Sequence, residues 1–295
     1  DDMKDTVAEY RGALIESAAE GDDALMEKYF EEETLSEEEI RQGLSAAFAT
    51  NKFVPVFCGA AELSSGVTPL FNFLASTAPS PEGQIEKAKD ADGGEKEVTI
   101  SSEGTPSCFC FKTSIDQFSG KMSYVKVFTG QLTPDTDLFN ADKSTKQRVG
   151  KLYRIVGKKL VDATSLAAGD IGVLTKLDTV TTGDTLCSSD SPLRYEPLRM
   201  PQPVHSLAVF AANKNDEDKM NQFLQRAAEE DPTFTIDYNT ETRQTVISGM
   251  GELHINMILD RIKEQQKIEI ERQVPRVPYR ETITKSSDAE YTHKK

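Results

Sequence analysis

The spacing of apolar residues changes twice along this chain, and those changes constrain its fold more than any other feature. Up to about residue 75 the apolar positions recur every three or four residues, the period of a helix with one buried face. Val7, Tyr10, Leu14 and Ala18 follow it, then Leu25, Met26, Tyr29 and Phe30 after a break at Gly21. From residue 97 to about 200, short β-rich runs take over, among them Cys108-Phe109-Cys110-Phe111, Tyr124-Val125-Lys126-Val127-Phe128 and Ile171-Gly172-Val173-Leu174. Turn residues separate them and no helical spacing intervenes, which predicts a small closed β-barrel rather than a parallel sheet. Beyond Pro201 and Pro203 the two periods alternate. A strand at 204–210 precedes a helix with Met220, Phe223, Leu224, Ala227 and Ala228 on one face, ended by Asp231-Pro232. Strands through Phe234, Ile236 and Tyr238 and through Thr245-Val246-Ile247 come next, then a helix carrying Ile255, Ile258, Leu259 and Ile262, and a last strand through Ile268 and Ile270. The order βαββαβ is the split βαβ, or ferredoxin-like, arrangement.

Local signals sharpen this outline. Leu35-Ser36-Glu37-Glu38-Glu39-Ile40 has the form of a capping box, with Ser36 accepting from the Glu39 amide, the Glu39 carboxylate reaching back, and Leu35 and Ile40 as a hydrophobic staple. Phe53-Val54-Pro55-Val56-Phe57-Cys58 reads as a short buried strand, with Pro55 better suited to an edge. Residues 67–75 return to helical spacing and Pro79-Ser80-Pro81 stops them. Residues 82–96 are Glu, Lys, Asp and Gly with almost nothing apolar, a solvated linker. Asn215-Asp216-Glu217 is expected to cap the helix that follows.

A length of 295 residues suggests two or three domains. The chain opens at Asp1, inside what looks like a helix, and is read as a fragment. No apolar run approaches the ~18 residues that span a bilayer, and a cytoplasmic location away from membranes is expected. The net charge of -15 misleads about partners, because residues 1–40 hold 15 acids against three bases while the rest holds 34 acids and 31 bases. Within that near-neutral remainder, residues 141–160 carry Lys143, Lys146, Arg148, Lys151, Arg154, Lys158 and Lys159 against a lone Asp142. A local patch of this kind decides what a phosphate backbone feels, although a solvated strand-and-loop face is the plainer reading of the same run.

Groups for catalysis are sparse. His205, His254 and His293 fall on a strand, a helix and the tail without a metal-binding spacing, and Cys108 and Cys110 read as small core residues. No catalytic residue and no metal site is expected. Asn213-Lys214-Asn215-Asp216 has the form of a guanine-reading N-K-x-D, but a phosphate cradle G-x-x-x-x-G-K-[ST] occurs nowhere, and the tetrapeptide is better read as a helix cap. Asp90-Ala91-Asp92-Gly93 lies in the polar linker and is set aside.

Gly249-Met250-Gly251-Glu252-Leu253-His254, introduced by Gln244-Thr245-Val246-Ile247-Ser248, resembles the G-M-G-E-L-H stretch of bacterial elongation factor G and its paralogues. Segments similar to that family recur in the same order, from Ile15-Glu16-Ser17-Ala18-Ala19-Glu20 through Gly169-Asp170-Ile171, Thr181-Thr182-Gly183-Asp184-Thr185-Leu186-Cys187 and Glu230-Asp231-Pro232-Thr233-Phe234 to Tyr279-Arg280-Glu281-Thr282-Ile283. The resemblance implies a multidomain chain. Residues 1–80 would be the end of a GTPase α/β domain, 81–200 its barrel domain II, 201–275 its ferredoxin-like domain III, and 276–295 the start of domain IV. It implies a parent protein that uses GTP and magnesium, binds the ribosome through small-subunit rRNA and proteins, and moves tRNA and mRNA. The GTPase head and the remainder of domain IV would be partners within the same protein, and neither DNA nor a bound cofactor is expected on this chain. Cys58-Gly59-Ala60-Ala61 is similar to the family's C-G-S-A loop, whose backbone contacts the guanine base, with Ala60 in place of the usual Ser. Gly59, Ala60 and Ala61 are therefore base-loop candidates. The seven basic residues of 141–160 are rRNA-contact candidates, and Gly249, Met250, Gly251, Glu252 and His254 are candidates to face the GTPase switches or the ribosome. A ribosomal protection or release factor of the same domain order, and a stand-alone interaction module, remain alternatives. For strand 53–58, loss of its sheet neighbours predicts cover by the first helices, cover by a second copy, or poor order.

Overall fold

A computed structural model describes residues 3–116 and 119–294; Asp1, at which the chain opens, and Lys295 lie outside the described residues. The chain divides into two compact units, Asp1–Pro81 and Glu82–Lys295.

The first unit is helical: α1 (Lys4–Ala19), α2 (Asp23–Glu32), α3 (Glu37–Ala49) and α4 (Val67–Thr77). The capping box of α3 forms as its sequence predicts, with the Glu39 amide donating to Ser36 Oγ and the Ser36 amide donating to Glu39 Oε2 at 2.9 Å. Lys28 of α2 adds an ion pair to the other oxygen of Glu39 at 2.6 Å. Together they hold the Glu39 carboxyl far below the usual range, at about 2. Leu35 and Ile40 are buried in one cluster with Ala18, Ala19, Leu25 and Leu44. The strand expected at 53–58 is not formed. Val54 and Val56 are 80% and 88% exposed, the first helices do not cover them, and no helix or strand lies between Ala49 and Ala61. An apolar run becomes a strand only with a ladder partner, and Pro55 lacks one of the donors such a ladder needs. Phe57 instead packs edge-on against Phe73 of α4, with ring centroids 5.1 Å apart.

The second unit opens with a hairpin where a linker was expected. β1 (Ile85–Asp90) pairs antiparallel with β2 (Glu95–Thr99). The Asp90 carboxylate accepts from the amides of Asp92 and Gly94 and closes the turn. Its polar composition conceals this hairpin, because one buried residue per strand, Ala88 and Val98, is enough to seat it. They join Ile100, Phe109, Phe128, Leu193 and Tyr195 in a core of their own.

The barrel strands are β3 (Ser107–Asp116), β4 (Gly120–Thr129), β5 (Gln131–Leu132), β6 (Asp137–Asn140), β7 (Thr145–Arg148), β8 (Leu152–Val156), β9 (Lys159–Ala163), β10 (Leu166–Ala167), β11 (Ile171–Thr175) and β12 (Thr185–Cys187), followed by β13 (Leu193–Tyr195), which pairs with β1. Eight of them form one antiparallel sheet in the order β7-β6-β12-β3-β4-β11-β8-β9, and β5 pairs with β10 beside it. The ladder is open between β7 and β9. Even so, Leu138 on β6 and Leu152 on β8 share one core with Cys108, Cys110, Val125, Val127 and Leu174, so the sheet is curled on itself. Both thiols are buried there, as the sequence predicts, and burial pushes the Cys110 thiol up to about 11.

The last strands and helices are β14 (His205–Ala211), α5 (Glu217–Glu230), β15 (Thr235–Asn239), β16 (Gln244–Gly249), α6 (Glu252–Gln266) and β17 (Ile270–Gln273). The sheet order β15-β16-β14-β17, antiparallel throughout, is that of the split βαβ fold. Both helices bury their apolar stripes in a single core with Val209 and Ile247. The cap before α5 lies earlier than expected. Asn213 accepts from the Asn215 amide at the start of a 3₁₀ turn, while Asp216 makes no side-chain cap. This fold meets the barrel where Glu230 Oε1 accepts from the Ile115 amide at 2.6 Å and Lys121 donates to Glu229 Oε2 at 3.2 Å and to the Asp178 carbonyl at 2.9 Å.

Candidate functional site

The basic run of 141–160 is divided by the fold. Lys143, on the turn between β6 and β7, is an internal strut: its Nζ donates to the Thr179 carbonyl at 2.7 Å, to Thr181 Oγ1, and to Asp184 Oδ2 at 2.8 Å. Arg148 pairs with Asp135 and Arg154 with Asp170. Lys146, Lys151, Lys158 and Lys159 are exposed and have no counter-charge among the described residues. Lys146 lies on β7 at one end of the ladder, whereas Lys158 and Lys159 lie at the tip of the β8–β9 hairpin at the other. Gly157, at φ +61°, makes that tip possible. What reads as one patch in sequence is therefore four free ammonium groups, on β7, in the loop before β8 and at the β8–β9 tip, and three cations already neutralised.

Asp184, which the charge count alone does not single out, organises this end of the barrel. Its buried Oδ2 accepts from Asn140 Nδ2 at 2.8 Å, the Thr181 amide at 2.8 Å and Lys143. The signal was present in Thr181-Thr182-Gly183-Asp184: a carboxylate three residues after a threonine, across a glycine at φ +98°, turns back onto the Thr181 amide.

The stretch 249–254 links β16 to α6. The Met250 amide donates to His254 Nδ1 at 3.1 Å, and His254 Nε2 lies 3.0 Å from Asp231 Oδ2. The carboxylate can only accept, so this histidine is the neutral Nε2–H tautomer. An aspartate–histidine pair is the orienting half of a hydrolytic triad, but here the far nitrogen is taken by a backbone amide and not by a nucleophile. Burial raises the Asp231 carboxyl, and hydrogen bonds from the Thr233 hydroxyl and amide with the His254 contact outweigh it, leaving the group below its usual value. Of the two glycines, Gly249 alone is required: a Cβ there would lie 2.9 Å from His254 Nδ1, whereas one on Gly251 meets open space. Glu252 opens α6, where an acid complements the helix dipole. Leu253 and Met257, one helical turn apart on α6, are 74% and 59% exposed, and Met250 is 38% exposed.

In the Cys58–Ala61 loop, Ala60 and Ser65 exchange amide-to-carbonyl bonds at 3.0 and 3.1 Å, and a Cβ on Gly59 would lie 2.9 Å from the Ser65 carbonyl. The Ala60 amide is thus engaged, while the Gly59 and Ala61 amides have no backbone acceptor among the described residues. Among the described residues no group of three or more His, Cys, Asp or Glu side chains is placed to hold a metal ion, and no helix is long and apolar enough to cross a membrane.

Comparison with known families places these folds. Residues 105–189 match the profile of elongation factor G domain 2, and residues 200–273 match that of elongation factor G domain III. A crystal structure of a protein from Thermus thermophilus is similar at a TM-score of 0.76 and 27% identity, over 95% of this chain and 40% of that one. The chain thus spans less than half the length of that relative. Two consecutive domain matches, on the barrel and on the split βαβ fold in the order the family has them, make this an elongation factor G-like chain.

Proposed function

We propose that this chain is the central part of a ribosome-binding translational GTPase, which promotes GTP-dependent translocation of tRNA and mRNA in the cytoplasm. GTP and its magnesium belong to the parent protein's phosphate loop, a motif this sequence lacks. Residues 1–80 are assigned to the end of the GTPase domain and 276–295 to the start of a fourth domain. Within this reading the barrel and the split βαβ fold dock on small-subunit rRNA and proteins.

The observation that carries the reading is the separation of seven basic side chains into three neutralised struts and four exposed, unpaired lysines. An ammonium without an internal counter-charge is free to release counterions from a phosphate backbone, which positions a protein without reading sequence. Replacing Lys146, Lys151, Lys158 and Lys159 together by Ala in the full-length protein is expected to weaken ribosome binding and to flatten its dependence on salt, by up to about three units of the log–log slope if all four touch phosphate. The control is Lys143→Ala with Arg148→Ala, which removes neutralised cations and leaves the slope in place. Equal slopes for the quadruple variant and the native protein would remove the barrel lysines from the interface.

A further inference from the structure

Among the features not absorbed by the proposed docking, the histidine of the 249–254 stretch carries the most. The turn between β16 and α6, Met250-Gly251, has no side-chain cap: Gly251 is the N-cap and offers none, while Gly249 before it is held in the ladder opposite His205. Such a loop is free to move unless something outside it fixes the backbone. His254 does so. Its Nδ1 accepts the Met250 amide at 3.1 Å, and its Nε2–H reaches Asp231 Oδ2 at 3.0 Å. The imidazole comes this close because Gly249 lacks a Cβ. Asp231 is itself fixed, as the C-cap residue of α5 whose Oδ1 accepts both the amide and the hydroxyl of Thr233, at 2.8 and 2.6 Å. Phe234 packs edge-on against the imidazole, with centroids 6.2 Å apart. The two residues before Asp231, Glu229 and Glu230, are those that grip the barrel.

We propose that His254 is a positioning residue: in its Nε2–H tautomer it clamps the Met250 backbone to the end of α5, and so fixes where Met250 is presented ahead of the exposed Leu253 of α6. The consequence of that presentation for ribosome docking rests on the proposed function; the clamp itself does not. Loop and barrel contact are thereby tied to the two ends of one short path, Met250 to His254 to Asp231 and on to Glu230.

Amide hydrogen exchange on this chain tests the clamp, with Met250 as the reporter in native protein, His254→Ala, His254→Asn and His254→Gln. Loss of the acceptor in the alanine variant should speed Met250 exchange on the order of tenfold. Asparagine places an oxygen near the former Nδ1 and should restore protection, whereas glutamine, which mimics the Nε2 side, should not. Long-range ¹H–¹⁵N correlations on the native protein should show the proton on Nε2. An unchanged Met250 rate in His254→Ala, equal rescue by Asn and Gln, or a proton on Nδ1 each overturns the proposal. Should the alanine variant lose its fold, the difference between Asn and Gln decides alone. Ribosome binding of the full-length His254→Ala protein separates the two claims. Faster exchange with unaltered affinity upholds the clamp and removes the loop from the docking surface.

Discussion

At the scale of single residues, the decisive distinction is between charge that is spent inside the fold and charge that is free. Asp184 is buried and its Oδ2 takes three donors, while Lys143 is still more than a third exposed. Removing one member of a buried pair costs more than the pair contributes, because it strands the other. Asp184→Ala is therefore expected to destabilise the barrel by about 1–3 kcal/mol or more, since the buried Asn140 side chain and the Thr181 amide lose an acceptor and Lys143 loses its counter-charge. Lys143→Ala should cost roughly 1 kcal/mol, because Asp184 retains two donors. Urea denaturation midpoints of the two variants check the order, and a larger loss for Lys143→Ala would refute it. The sequence displayed the seven cations but not this division. A counter-charge such as Asp184 lies 41 residues from Lys143, and only the meeting of β6 with the loop before β12 brings the two together. The sequence placed His254 on a helix without a metal-binding spacing, yet its partner 23 positions away was not legible.

At the scale of elements, local chemistry was readable wherever the partners lie within a few residues of each other. The α3 capping box is the clearest case, and it makes a pH prediction. Glu39 has a folded pKa of about 2, below the ~4.3 of an unfolded glutamate. Its contribution is complete above the unfolded value and is lost as pH falls from there toward about 2. Helical signal from the first unit should decline across that window, and Glu39→Gln should abolish that component of the titration; an identical acid transition in the variant would count against the box. Segments whose structure depends on distant neighbours misled in both directions. The apolar run at 53–58 finds no ladder, while the polar hairpin of β1 and β2 forms because β13 completes its sheet. Helix packing supplies a second prediction at this scale. A Cβ on Gly43 would sit 2.1 Å from the Ala18 carbonyl oxygen, so α1 and α3 meet backbone to backbone. Gly43→Ala gains about 1 kcal/mol of helix propensity but must push two helices apart, at a cost of about 1–3 kcal/mol or more. The clash is expected to win, and a raised melting temperature would show that α3 shifts freely.

For the whole molecule, the telling contact lies between the barrel and the split βαβ fold of the second unit. The Lys121 side chain is 9% exposed and has two acceptors there, Glu229 on α5 and the Asp178 carbonyl. Beside it, Glu230 takes the Ile115 amide. The two folds are joined here by an ion pair that is buried on its lysine side and half-exposed on its glutamate side. Its net contribution is small, while its loss on one side is costly. Glu229→Ala leaves the ammonium with a single neutral acceptor, and Lys121→Met removes the charge while keeping the stem. The double variant should therefore be more stable than Glu229→Ala alone, with a coupling of about 1–3 kcal/mol in a double-mutant cycle. Ile115 amide exchange should rise in Glu230→Ala and remain low in Glu230→Gln, which keeps an acceptor. If the two single substitutions at 121 and 229 simply add, Lys121 is not held by Glu229, and the Ile115–Glu230 bond becomes the polar contact on which the arrangement of the two folds leans.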